Sequence, residues 1–194
     1  MDDFTPEAAV VTAVMDGRDI RIEFLTNVLG VKTPLLQKSA AELILRVRTA
    51  DGVGTLAVPI MHPLHCLQSR IANHIKLQRR HDVSRRQLEA SPIVLREYIS
   101  EAIADGDLRE AIDILRLLFD YLRSDVHGKH AHKIMTNDPA RILDHFAEDA
   151  RLDPRYRELT LGGMRKALAE RRSAWRRMAA LFRKPPVIPH EAMD

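Results

Sequence analysis

The sequence has one cysteine, few aromatic residues and no long apolar run, and each shortage excludes a class of protein. A single thiol, Cys66, cannot form an intrachain disulfide. No stretch approaches the roughly 18 consecutive apolar residues that a membrane-spanning helix needs. The N-terminal residues do not follow the layout of a secretory signal peptide. The sequence therefore predicts a soluble cytoplasmic protein with no membrane partner.

The motifs of several common enzyme classes are also missing. The chain has no nucleophile elbow, no phosphate-binding P-loop and no dinucleotide-binding glycine pattern. His127, His130 and His132 lie close together, but no Cys, Asp or Glu stands among them and Lys129 would oppose a cation. This pattern favours a solvated helix end over a metal site.

The hydrophobic pattern changes once along the chain, from a period of two to a helical period. Alternating runs at residues 8–15 and 19–25 flank a turn at 16–17, and runs at 42–49 and 55–61 flank a turn at 51–54. From residue 62 onward the spacing is helical. We predict an α+β chain: a small antiparallel or mixed sheet in residues 1–62, a helical bundle in 63–184 and a tail in 185–194.

Local signals place the helix ends. Thr33 before Pro34 is a candidate N-cap for a short helix. Pro92 is expected to kink or divide the helical segment 83–104. Asp107 and Glu110 are spaced like a capping box, which predicts a helix beginning at residue 108. A final helix is predicted over residues 163–182.

The basic residues are concentrated near the C-terminus. Residues 151–184 hold 11 Lys or Arg and three acidic residues, a local net charge of +8, whereas the whole chain has +3. The candidate phosphate contacts on the final helix are Arg165, Lys166, Arg172, Arg176 and Arg177. Such a helix can be a core helix with a solvated charged face, a binding site for RNA or DNA phosphates, or a contact for a membrane surface or partner helix.

The stretch GRDIRIEFL at residues 17–25 contains Glu23, which has two alternative interpretations. Alternation places Ile20, Ile22 and Phe24 on one side of an extended chain and Arg21 and Glu23 on the other. Chemistry alone favours an ordinary half-buried strand whose polar face includes Glu23. The alternative is that Glu23 belongs to an active site.

Three segments in order along the chain bear on that choice. They are DFTPEAAVVT at residues 3–12, IEFL at 22–25 followed by VLGV at 28–31, and MHPLHCLQSRIAN at 61–73. Together they resemble the later part of bacterial nucleotidyltransferase-like proteins, in the polymerase-β-type superfamily that includes abortive-infection toxins. The third segment is the most specific, and the resemblance covers roughly residues 3–125.

This resemblance implies a sheet with three carboxylates that hold Mg²⁺, where a nucleoside triphosphate donates its nucleotidyl group, possibly to RNA. Glu23 occupies the position of the third carboxylate and metal ligand, with Arg21 near phosphate and with Arg70 and Asn73 on a helix facing the sheet. The first two carboxylates follow a Gly-Ser pair that the family places before DFTPEAAVV. This chain contains no Gly-Ser pair.

The resemblance therefore predicts a nucleotidyltransferase-like chain that is inactive alone. An upstream polypeptide or a second copy of the chain would complete the sheet, because its strand edge would otherwise be open. The alternative is a non-catalytic helical module that binds nucleic acid or protein, in which Glu23 is a surface residue.

Overall fold

The computed structural model describes residues 7–15, 18–25, 27–49, 52–78 and 81–181. The strands are β1 (Glu7–Met15), β2 (Arg18–Leu25), β3 (Ala41–Thr49) and β4 (Gly52–Ile60). The helices are α1 (Thr33–Lys38), α2 (Pro63–Lys76), α3 (Asp82–Ala104), α4 (Leu108–Ser124), α5 (Ala131–Ile134), α6 (Arg141–Ala147) and α7 (Gly162–Leu181). A 3₁₀ turn (Gly128–His130) precedes α5 and a π-helix (Tyr156–Leu161) precedes α7. The predicted α+β class is confirmed.

The four strands form two separate antiparallel hairpins, β1–β2 and β3–β4. The pairing runs from Glu7↔Leu25 to Met15↔Arg18 in the first hairpin and from Ala41↔Ile60 to Thr49↔Gly52 in the second. The turn predicted at residues 51–54 is too long, because Gly52 already pairs with Thr49 in the ladder. The turn predicted at residues 16–17 lies outside the described residues.

The connection between the hairpins packs directly against α2. Gly30 has φ +83°, and a Cβ at this position would lie 2.6 Å from Cβ of Ala72 on α2. Only glycine fits so close an approach in the left-handed region. Helix α1 follows, but Thr33 is not its N-cap: Lys32 takes that place, and the Thr33 hydroxyl donates instead to Asn27 Oδ1 at 3.1 Å.

The core of the first part of the chain is helical. Pro63 occupies the first turn of α2, where its missing N–H needs no partner. Side chains from α2, α3 and α4 that are less than 2% exposed fill the interior: Leu67, Ile71, Leu88, Leu95, Ile99, Leu115 and Leu118. The hydrophobic spacing of these helices explains the burial, since each presents one apolar stripe to the others.

Helix α3 runs through Pro92 without being divided. Proline has no N–H, so the carbonyl of Leu88, four residues earlier, loses its usual helical partner. The hydroxyl of Ser91 donates to that carbonyl at 2.7 Å. The helix is therefore not divided, because a neighbouring side chain replaces the missing donor, and the alternative of a kink stays a prediction.

Side chains of α3 also fix the elements that follow it. The Glu89 carboxylate accepts the backbone N–H groups of Thr136 and Asn137 at 2.8 and 2.7 Å. Asp107 caps α4 by accepting the N–H of Glu110 at 3.0 Å, which is half of the predicted capping box. The Glu110 carboxylate accepts the Tyr98 hydroxyl of α3 at 2.8 Å, so it joins two helices.

Backbone packing divides the chain into two compact units, residues 1–142 and residues 143–194. The predicted divisions after residues 62 and 184 form a different partition and stay predictions. The second unit contains the π-helix and α7, with Phe146, Leu152, Leu161 and Leu168 buried. The final helix begins within one residue of its predicted start.

Candidate functional site

The backbone register of the hairpin β1–β2 fixes the positions of Glu23 and Arg21, the two site residues predicted on this hairpin. Glu23 is paired with Val10, and Arg21 is paired with Thr12. Residues directly opposite one another in an antiparallel ladder share a face, as do alternate residues of one strand. Glu23 therefore shares its face with Val10, Thr12 and Arg21, and the next residue of β2 on that face is Asp19.

Glu23 is the metal ligand that the resemblance implies for this face of the hairpin. Mg²⁺ in nucleotide-processing sites is held by one or two carboxylates together with substrate phosphates. Arg21 stands two positions from Glu23 on β2, and Asp19 stands two positions beyond Arg21. Among the side chains that the structure describes, which exclude those of β2, no group of three or more His, Cys, Asp or Glu is placed to hold a metal ion.

A second cluster of polar side chains lies at the start of α2. His62 is the N-cap, and its Nδ1 accepts the N–H of Leu64 at 3.1 Å. Its ring meets the rings of Tyr98 and His65 edge-on, with centroids 5.0 and 5.8 Å apart. Burial, with a smaller contribution from His65, lowers the pKa of His62 to about 4. The neutral imidazole is therefore the form that caps the helix at neutral pH.

His65 joins the end of α1 to α2. Its Nε2 lies 2.7 Å from Ser39 Oγ, and its Nδ1 lies 2.8 Å from the side-chain amide oxygen of Gln68. Serine, histidine and an orienting group in this order have the connectivity of an activated nucleophile.

The single proton of Ser39 allows two arrangements of these bonds. The Ser39 hydroxyl also lies 2.6 Å from the carbonyl oxygen of Leu35 in α1, and it can donate to only one acceptor. If it donates to Leu35, His65 Nε2 donates to Ser39 and the serine is not activated. If it donates to His65 Nε2, the Leu35 carbonyl still accepts the N–H of Ser39 at 3.1 Å, and His65 Nδ1 donates to the Gln68 oxygen. In both arrangements the chain of bonds fixes α1 to α2.

Arg70 and Asn73, predicted to lie on a helix facing the sheet, are on α2. With His74 and Ser84 they line a cavity of about 10 Å³ between α2 and the start of α3. The side-chain oxygen of Asn73 and Nδ1 of His74 are buried without a partner among the described atoms. That Arg70 and Asn73 face a completed sheet therefore stays a prediction.

The only thiol, Cys66, is partly buried on α2. Burial raises its pKa, although the positive charge of Arg70 acts in the opposite direction. Because the thiolate is the nucleophilic form, Cys66 is a weak candidate for covalent chemistry.

The cations predicted to bind nucleic acid fall into different environments on α7. Arg165 forms an ion pair with Asp144 at 2.6 Å, and Lys166 lies 4.0 Å from Glu170. Arg172 is half-buried and has an interaction of its own, while Arg177 is exposed. Arg176 lies in the helix, but its side chain is outside the described set. Lys166 and Arg177 are 11 residues apart and so lie on one side of the helix.

The histidine-rich segment is organised by a carboxylate that sequence reasoning overlooked. Asp125 accepts the N–H groups of His127 and Gly128 at 2.7 and 3.0 Å. A Cβ on Gly128 would lie 2.2 Å from the carbonyl oxygen of Tyr121, so the turn packs tightly on α4. The segment therefore serves as a close-packed connection after α4.

Comparisons with protein families, with curated proteins and with solved structures find no match for this chain. No helix in the described part of the chain is both long enough and apolar enough to cross a membrane.

Proposed function

We propose that this chain is a nucleotidyltransferase-like protein that does not transfer nucleotides alone. The observation that carries the proposal is the β1–β2 hairpin: a two-stranded sheet on which Glu23 and Arg21 lie two positions apart, with Val10 and Thr12 opposite them. In this proposal Glu23 is a metal ligand and Arg21 is a phosphate contact. The Gly-Ser pair that accompanies the other two carboxylates in the resembled family is absent from the sequence, so a second strand system would contribute them.

Metal binding tests the proposal directly. Free Mn²⁺, measured by electron paramagnetic resonance with a nucleoside triphosphate present, should reveal only weak binding, at about millimolar affinity. The variant Glu23→Gln should weaken that binding further. Glu101→Gln, the matched change at an exposed position of α3, should leave it unchanged.

Two results would contradict the proposal. Binding that is the same in the parent and in Glu23→Gln would remove Glu23 from any metal site. Micromolar binding that depends on Glu23 would mean that the site is complete within this chain.

A non-catalytic nucleic-acid-binding module is the second candidate, and the exposed side of α7 favours it. Lys166 and Arg177 both present their charges to solvent on that side. Clustered cations bind phosphate with little need for other chemistry. This function needs no metal and no contribution from Glu23.

Salt dependence of RNA binding tests this candidate. The double variant Lys166→Glu/Arg177→Glu should weaken binding to single-stranded RNA and lower the salt slope by roughly one to two units. Arg109→Glu/Arg116→Glu makes the same change in net charge at two exposed positions of α4. Equal loss of affinity in both double variants would mean that RNA binding depends only on net charge. That result would refute the assignment of the binding site to α7.

A further inference from the structure

The two edges of the β3–β4 hairpin differ in their capacity to accept another strand. Thr49 and Gly52 are paired although they are only three positions apart in sequence, so they exchange both hydrogen bonds, and every second pair from there does the same. The intervening pairs are Glu42↔Pro59, Ile44↔Ala57, Arg46↔Thr55 and Arg48↔Val53. In these pairs the backbone N–H and C=O groups point away from the hairpin.

Proline closes one of these edges. Pro59 has no N–H, and it stands at an outward position of β4, where a further strand would need a donor. The outward positions of β3 are Glu42, Ile44, Arg46 and Arg48, and all four have an N–H. No backbone hydrogen bond beyond the β4 ladder reaches these four residues from the rest of the described chain.

The hairpin also exposes apolar side chains. Ile44 is 65% exposed and Val53 is 73% exposed. An isolated two-stranded hairpin is marginally stable in water, and an open edge strand is a template for another chain. We therefore expect a partner strand to pair along the open edge of β3.

We propose that β3 pairs antiparallel with β3 of a second copy of this chain, centred on Leu45, to form a four-stranded sheet. In this register every residue of β3 has a partner. Glu42 of each copy lies opposite Arg48 of the other, and opposite charges at directly opposed positions stabilise a sheet. Glu42, Arg46 and Arg48 are all exposed in the single chain and so are accessible to the second copy. The proposal does not rest on the proposed function.

A matched pair of proline variants tests which edge is used. Ile44 and Ala57 form one cross-strand pair, and both point their backbone groups outward, so proline at either site has the same relation to the hairpin ladder. Sedimentation at tens of micromolar should give a dimer of the 22.1 kDa chain for the parent and for Ala57→Pro. Ile44→Pro should be monomeric.

A charge exchange tests the register and remains informative if both proline variants dissociate. Glu42→Arg and Arg48→Glu each place like charges opposite one another and should weaken the dimer. The double variant Glu42→Arg/Arg48→Glu should restore it, since the opposed charges are then only interchanged.

Cross-linking gives the final arm of the experiment. In a Cys66→Ser background, Leu45→Cys should form an intersubunit disulfide, because the proposed register places this residue opposite itself at about 4.5 Å between Cα atoms. Ile44→Cys should not. A monomeric parent chain, a dimer lost in Ala57→Pro but kept in Ile44→Pro, no restoration by the charge exchange, or cross-linking at residue 44 in place of 45 would each overturn the proposal.

Discussion

His62 is a buried histidine whose role is structural. Its Nδ1 must be unprotonated to accept the N–H of Leu64, and its ring is enclosed by Tyr98 and His65. The sequence places His62 before the helix, because it precedes Pro63, and the structure confirms this. Its capping role could not be predicted, since histidine is not among the favoured N-cap residues.

The buried state of His62 makes stability depend on pH. Its pKa is lowered to about 4 in the folded chain, against 6.5 without burial, so between these values the unfolded chain binds the extra proton. The stability that neutral His62 provides is therefore complete above pH 6.5. On acidification below that value, the free energy of unfolding falls by up to about 1.4 kcal/mol for each pH unit.

Urea unfolding between pH 4 and 7 measures this effect. His62→Asn keeps a capping oxygen and removes the titrating ring, so its stability should depend less on pH. His81→Asn makes the same replacement at the exposed cap of α3 and leaves His62 intact. If the free energy of unfolding of His62→Asn depends on pH as strongly as that of the parent chain, the pH dependence does not come from His62.

Ser91 compensates for Pro92, which predicts coupling between the two residues. Ser91→Ala leaves the Leu88 carbonyl without its donor and should lower the free energy of unfolding by about 1–2 kcal/mol. In a Pro92→Ala background the same change should cost less, because the restored N–H can bond to Leu88. Urea unfolding of the four chains gives the coupling, and purely additive effects would contradict the compensation.

At the scale of elements, sequence reasoning succeeded where the signal is periodic. The hairpins, α2, α4 and α7 follow from alternating or helical spacing, and Asp107 was correctly identified as a cap. It does not identify bonds made by particular side chains, such as that from Ser91 to the Leu88 carbonyl. It also missed the bonds from Glu89 to the segment after α5, since 47 residues separate Glu89 from Thr136.

The Glu89 bonds predict a local effect on that segment. Glu89→Ala removes the acceptor of two backbone N–H groups and should speed amide exchange at Thr136 and Asn137, with a loss of about 1–3 kcal/mol in the free energy of unfolding. Glu101→Ala removes a carboxylate from an exposed position of the same helix and serves as the control. Equal exchange at Thr136 and Asn137 in both variants would refute the role of Glu89.

At the scale of the whole molecule, the class of the fold follows from the sequence, whereas the two compact units follow from packing. The order of strands and helices is visible in the change of period, whereas the boundary at residue 142 depends on packing between helices that all look alike in sequence. For the candidate site, too, the sequence predicts local features but not contacts between elements. The strand and the position of Glu23 were predictable, but its paired neighbours required the register of β1 against β2.

Nucleotidyl transfer by the purified chain tests directly whether the proposed nucleotidyltransferase-like site is incomplete. The chain is incubated with each labelled nucleoside triphosphate, transfer RNA and either Mg²⁺ or Mn²⁺, and label in RNA and protein is counted. We predict no incorporation above that of Glu23→Ala, because the Gly-Ser pair that accompanies the other two carboxylates in the resembled family is absent from the sequence. Incorporation that Glu23→Ala abolishes would contradict the proposal.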